Sequence, residues 1–145
     1  MGASRNQTAD WGVAVGDTAR FTKTVGEYDV YGFAGITGDF APNHIDRTFM
    51  AAGTYGERIA HGVLTLGLSS TASTEIVARA GGRAVSYGYD RVRFIAPVYI
   101  GDTVTITYTV AAVDYDERKT FADIVATNQR NETCMAATHI LKFLR

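Results

Sequence analysis

GVLTLGLSSTASTEIVARAGG, residues 62–82, is the stretch on which the fold turns. Leu64, Leu68, Ala72, Ile76 and Ala80 recur at every fourth position, the spacing of one helix face. Gly67, Ser69, Ser70 and Ser73 fill the gaps, so the helix expected over about 62–80 is small-sided almost all round. Such a helix is normally wrapped by other structure instead of lying on a surface. Gly81-Gly82 supplies its C-cap. Everything beyond it reads as strand. Val104, Ile106, Tyr108 and Val110 alternate with Thr103, Thr105, Thr107 and Thr109, a strict period of two rich in β-branched side chains. Residues 85–96, 119–128 and 133–143 are similar but less regular. Turns at Asp114–Arg118 and Gln129–Glu132 join the last three strands, which makes that sheet antiparallel.

Upstream of residue 62 the pattern is mixed. A short strand is expected at about 19–25. Thr24 and Glu27 have capping-box spacing, and Val30, Phe33, Ala34 and Ile36 predict a helix over about 27–36, ended by Gly38. Residues 38–60 are irregular. Pro42 blocks helix in their first part, and a short helix is expected around Asp46–Ala52. The order is strand, helix, irregular segment, long small-sided helix, four strands. It predicts an α+β fold in which a curved antiparallel sheet is covered on one face by the long helix. Residues 1–12 are expected to be a flexible N-terminus and 13–145 a single domain. One short echo, Val13-x-Val15-Gly16-Asp17-Thr18 and Val98-x-Ile100-Gly101-Asp102-Thr103, is read as the same turn used twice.

Composition narrows the partners. With 145 residues the chain can bury a sizeable core as one domain. Its net charge of −1 is unlike the basic balance of proteins that live on phosphate backbones, so no nucleic-acid partner is expected. Cys134 is the sole cysteine, which excludes an intramolecular disulfide and suits a reducing compartment. No stretch approaches the ~20 apolar residues of a membrane helix. MGASRNQTAD has no apolar core of a signal peptide, and Asn6 stands where myristoylation needs Ser or Thr. A cytoplasmic protein with no membrane partner is the expectation.

The dinucleotide, P-loop, zinc-protease, paired C-x-x-C and nucleophile-elbow motifs are all missing. Two clusters remain. The first is Gly38-Asp39-Phe40-Ala41-Pro42-Asn43-His44-Ile45-Asp46. On one continuous helix Asp39 and His44, five residues apart, would splay by about 140°. A turn at Pro42 can instead aim both at one spot, where a carboxylate and an imidazole act as a general acid–base pair. Taken alone, the same residues also read as a helix cap, an Asx turn and a surface histidine. The second cluster is Ile59-Ala60-His61-Gly62-Val63 at the start of the long helix. The first N–H groups of a helix are unpaired and suit a carbonyl oxygen that gains charge. Gly62 lets a ligand come close to that backbone, although an ordinary helix start would look the same.

Together, G-D-x-x-P-x-H-x-D in Thr37–Asp46, A-H-G-V in Ile59–Leu68 and R-F-x-x-P-V-x-x-G-D-T in Val92–Val104 resemble the MaoC-like hydratases, similar to (R)-specific enoyl-CoA hydratases. The resemblance spans roughly residues 13–143 and implies a hot-dog fold. It implies hydration of a trans-2-enoyl-CoA to the (R)-3-hydroxyacyl-CoA, or the reverse, with Asp39 and His44 as the acid–base pair in either division of roles. It also implies that the Gly62 N–H binds the thioester carbonyl, and it places Ser70 either in the pocket wall or packed on the sheet. Coenzyme A enters as part of the substrate, with no metal and no other cofactor. The partner expected besides the acyl-CoA is a second copy of the chain, as a homodimer or higher homo-oligomer. The family's D-x-N-P-x-H is met at Asp39, Pro42 and His44, but Ala41 replaces its Asn, and an Asn follows at Asn43. Two alternatives are a thioesterase of the same fold and a non-catalytic acyl-thioester binder, the latter kept open by Ala41. Of the remaining candidates, His61 is expected to orient the helix start and His139 to be structural. Cys134 is expected to be a small core residue. Arg83, Arg91 and Arg93 are read as solvated, with coenzyme A phosphates as the other option.

Overall fold

The computed structural model describes residues 9–145. Its elements run β1 (Thr18–Thr24), α1 (Glu27–Thr37), α2 (Pro42–Ile45), α3 (Arg47–Ala51), α4 (Gly62–Arg79), β2 (Ala84–Phe94), β3 (Thr103–Asp114), β4 (Lys119–Thr127) and β5 (Thr133–Phe143). The strands form one antiparallel sheet in the order β1-β3-β4-β5-β2. This sheet packed on a single long helix is the expected α+β hot-dog architecture.

The alternation in β3 decides which face is core. Val104, Ile106, Tyr108 and Val110 are all at most 1% exposed and meet Ala72 and Ile76 of α4 in one apolar cluster. Each such side chain contributes roughly 1.5–3 kcal/mol by leaving water. The threonines point the other way and pair across to β1. Thr24 and Thr103 hydroxyls lie 2.8 Å apart, and Thr22 and Thr105 2.9 Å. The small residues of α4 let its backbone sit close to the sheet. Ser69 and Ser73 are buried there, and each hydroxyl donates to a carbonyl of its own helix, Leu66 and Ser70. The opposite face of α4, with Val63, Gly67, Ser70 and Thr71, is exposed on the single chain.

Several local expectations are revised. The Thr24–Glu27 capping box does not form. Gly26 caps α1 instead, and the Asp29 carboxylate accepts the Gly26 N–H at 2.8 Å. Pro42 does not exclude helix; it opens α2 at the first helical position, where its missing N–H costs nothing. The short helix near 46–52 is α3, with Asp46 Oδ1 accepting the Phe49 N–H at 2.9 Å. The echoed motif is one turn used twice: Asp17 Oδ2 accepts from Ala14 N–H and Asp102 Oδ2 from Tyr99 N–H, behind Gly16 and Gly101 at φ 93° and 99°. Of the expected flexible N-terminus, residues 1–8 lie outside the described residues. Residues 9–12 form a turn with Ala9 buried and Trp11 stacked on Phe143 at 5.5 Å. The sheet edges are β1 and β2, so the best alternating run, β3, is an interior strand. No helix among the described residues is long and apolar enough to cross a membrane.

Candidate active site

Helix α1 ends at Gly38, whose left-handed backbone (φ 78°) turns the chain and lets its N–H reach the Ala34 carbonyl. Asp39 follows on this turn. Its N–H donates to Thr37 Oγ1, and its Oδ1 accepts the Ala41 N–H at 3.2 Å. The contribution of Ala41 to this loop is therefore a backbone group, which any residue but proline supplies. Because Pro42 begins a new helix, Asp39 stands outside it and the 140° splay of a continuous helix does not arise.

His44 is buried in α2. Its Nδ1 lies 2.7 Å from the Ile59 carbonyl, which can only accept, so Nδ1 carries a proton and donates. Nε2 then faces the Asp39 carboxylate, 3.9 Å from Oδ2. That distance is too long for a direct hydrogen bond and fits one water about 2.8 Å from each atom. Residue 59 is itself fixed: Ile59 N–H donates to the Asn43 carbonyl, Ala60 N–H donates to the Val98 carbonyl, and Ile59 bridges to Tyr99. The loop behind them is clamped by Asp102, which accepts from Tyr99 N–H, Gln129 Nε2 and Arg130 Nη1. These donors hold its carboxyl below the usual carboxylate range against the opposing effect of burial, the largest single influence.

His61, expected to orient the start of α4, does more. It is the N-cap residue of that helix and 3% exposed. Its ring stacks on His44 with centroids 3.7 Å apart and planes 25° from parallel, and its Nε2 lies 2.9 Å from the Asp39 carbonyl oxygen. Sequence reasoning missed this convergence; the Ala-His-Gly triplet was its only signal.

His44 and Gly62 share a cavity of about 240 Å³ whose wall also includes Asn43, Thr65, Phe94 and Cys134. Gly62 opens α4, so its N–H has no acceptor within the helix. The Phe94 ring lies so close that a Cβ on residue 62 would stand 2.8 Å from two of its carbons. A larger residue there would push the Phe94 ring aside. Ser70 is not brought to the cavity; it is exposed, two turns further along α4. Thr65, one turn after Gly62 on the same face, lines the wall instead, as its i+3 spacing could have indicated. Cys134 is buried, as expected, but belongs to the cavity wall, and burial pushes its thiol pKa up.

The other candidates lie elsewhere. Arg83, Arg91 and Arg93 take no part in the cavity wall; Arg91 donates to Thr138 Oγ1 and Arg93 to the Val92 carbonyl. His139 is structural as expected, buried between Ser86 Oγ and Tyr108 OH. A larger hollow of about 640 Å³ beside Glu27, Arg47, Glu57 and Arg58 holds an ion pair, Arg58 Nη2 to Glu27 Oε1 at 2.5 Å.

Asp39, His44 and His61 could be suspected of holding a cation, since one ligand-type atom of each lies within 4.8 Å of the others. The stacking argues against it. A zinc ion bound at about 2.1 Å by both rings would sit roughly 3.2 Å from each centroid and leave only about 70° between its bonds, far below tetrahedral. His61 Nε2 is also already engaged with the Asp39 carbonyl. A carboxylate and an imidazole nitrogen facing each other across one water position, beside unpaired helix N–H groups, suit proton transfer next to a polarised carbonyl.

Comparison with known proteins identifies the family and the fold. The profile of the family described as MaoC like domain matches residues 8–136. An (R)-specific enoyl-CoA hydratase of Rhodospirillum rubrum is 38% identical over 98 residues, covering 68% of this chain and 66% of that protein. A 3-hydroxybutyryl-CoA dehydratase of Methylorubrum extorquens is 39% identical over 105 residues, 72% of this chain and 65% of that one. The match thus spans just under two thirds of each relative. Among solved structures, an (R)-hydratase from A. caviae involved in PHA biosynthesis superposes with a TM-score of 0.82 at 27% identity, covering 91% of this chain and 98% of that one.

Proposed function

This chain belongs to the MaoC-like domain family, and from that premise we propose that it hydrates a trans-2-enoyl-CoA to the (R)-3-hydroxyacyl-CoA or runs the same reaction in reverse. The observation that carries the reading is the placement of the Asp39 carboxylate 3.9 Å from His44 Nε2, with His44 and the N-terminus of α4 lining one cavity.

In the hydration direction the thioester carbonyl oxygen accepts the Gly62 N–H. That donor, aligned with the α4 dipole, stabilises the enolate that forms when water adds, an effect worth about 3 kcal/mol per donor where it has been measured. The water lies between Asp39 and His44. Asp39 takes its proton as the oxygen bonds to the β-carbon, and His44, as imidazolium, gives its Nε2 proton to the α-carbon. Water has then added across the double bond, Asp39 is protonated and His44 is neutral. A proton passed from Asp39 to His44 through the next water resets the pair. The Nδ1–H bond to Ile59 keeps the His44 ring in place in both protonation states, because Nδ1 bears a hydrogen in each.

We place the enzyme in the cytoplasm, where the lone thiol of Cys134 stays reduced, and we propose that it works as a homodimer or higher homo-oligomer. β2 is a free edge strand of 11 residues with Tyr87 and Val85 exposed, and an open edge of that kind is a template for a second chain. A panel of trans-2-enoyl-CoA esters, followed by loss of enoyl absorbance with parallel measurement of free thiol, tests the activity. Absorbance loss without thiol release supports hydration. Thiol release in step with it would replace hydration by thioester hydrolysis, and binding without either would replace it by a non-catalytic role.

A further inference from the structure

We propose that His61 is a positioning residue for the acid–base pair. One of its nitrogens fixes the backbone that carries Asp39, and its ring face fixes the plane of His44. The inference rests on the reading of Asp39 and His44 given above and goes beyond it, since His61 itself takes no part in the proton transfers.

The hydrogen bonds assign the state of the ring. The Asp39 carbonyl oxygen, 2.9 Å from His61 Nε2, can only accept, so Nε2 carries the hydrogen. His61 Nδ1 is buried and has no partner among the described residues. A proton there would be a buried donor facing no acceptor, which folded proteins avoid. His61 is therefore held as the neutral Nε2–H form.

That state suits its place. His44 carries a positive charge while it acts as proton donor, and it stacks 3.7 Å from a ring that adds no second charge and offers a polarisable face. Phe33 tilts against His61 with centroids 4.8 Å apart, so the ring is held from α1 as well as from α2. The bond to the Asp39 carbonyl acts on the other half of the pair. Asp39 sits on an exposed turn whose other ties are local ones to Thr37 and Ala41, and His61, 22 residues on, is the contact that fastens this turn to the start of α4. One ring thereby sets both ends of the 3.9 Å gap in which the water lies.

Three variants separate the two contacts. His61→Phe keeps a ring for His44 and removes the donor. His61→Gln keeps an amide N–H near the Nε2 position and removes the ring. His61→Ala removes both. Each is assayed on the best trans-2-enoyl-CoA of the panel above, normalised to folded protein by near-UV circular dichroism, beside Asp39→Asn and His44→Gln. His61 does not line the cavity, so kcat should fall while KM stays within about threefold. The fall expected from a misplaced pair is about 10–10²-fold for His61→Ala, with His61→Gln and His61→Phe each recovering part of it. Ring nitrogen NMR of the wild type, which needs no variant to fold, should show His61 as the Nε2–H form at pH 7. Wild-type kcat per folded molecule in the His61 variants, or an Nδ1–H form of His61, would overturn the proposal. If Asp39→Asn and His44→Gln also retain activity, it is the acid–base reading that has failed; if they lose activity while the His61 variants do not, only the present inference has.

Discussion

His139 lies under the sheet's helix-facing side at 1% exposure, with Nε2 on Ser86 Oγ at 2.7 Å, Nδ1 on Tyr108 OH at 3.0 Å and its ring stacked on Tyr89. Burial lowers its pKa from 6.5 to about 4, because taking the ring out of water disfavours the charged imidazolium. The sign of the consequence follows from linkage. The unfolded chain takes up a proton near pH 6.5 and the folded chain does not until about pH 4, so the stabilisation by neutral His139 is present in full above pH 6.5 and lost as pH falls between those values. At pH 4.5 the loss is about 2–3 kcal/mol, a large part of the ~5–15 kcal/mol that holds a domain. His139→Phe keeps the stack on Tyr89 and removes the titration, at the cost of leaving the Tyr108 hydroxyl without its partner, about 1–3 kcal/mol at every pH. Urea unfolding of both proteins at pH 7.5 and 4.5, at one protein concentration, gives the comparison. Every other group titrates in both and cancels. The wild type should lose about 2–3 kcal/mol more than the variant between the two pH values. Equal losses would refute the assignment of a buried neutral imidazole.

Asp39→Asn and His44→Gln should each cut turnover by about 10²–10⁴-fold with melting temperatures near wild type, and a loss below about threefold in both would end the hydratase reading. Gly62→Ala places a methyl group 2.8 Å from the Phe94 ring; the ring, half exposed, has to move into the cavity mouth, so kcat/KM should drop about tenfold or more while the fold survives. The variant keeps its backbone N–H, so an unchanged kcat/KM would show that the close approach at residue 62 does not matter. Light scattering at low micromolar concentration should give at least twice the 15.7 kDa chain mass, and a fully active species of 15.7 kDa would exclude the dimer.

Much of the fold is written in local pattern. The alternation over 103–110 becomes the first eight residues of β3 with Val104, Ile106, Tyr108 and Val110 buried, because a strand presents successive side chains to opposite faces and a sheet covered on one face needs that period. The four-residue spacing over 64–80 becomes α4 for the corresponding reason in a helix. The turn used twice at Asp17 and Asp102 was legible because glycine and aspartate act within four residues. Motif reading also singled out Asp39, His44 and Gly62; the fold sets Asp39 3.9 Å from His44 and places His44 and Gly62 on one cavity.

What the sequence left open depends on contacts between distant segments. The His44 ring meets a carbonyl 15 residues away, the Asp39 carbonyl meets a histidine 22 residues away, and residue 62 is crowded by a ring at 94. None of these leaves a periodicity in the chain, since any donor, acceptor or ring folded to that point would satisfy the same local pattern. Ser70 and Thr65 show the same limit from the other side. Both are small hydroxyl residues on one helix, and only the packing of α4 on the sheet decides that Thr65 faces the cavity while Ser70 faces out.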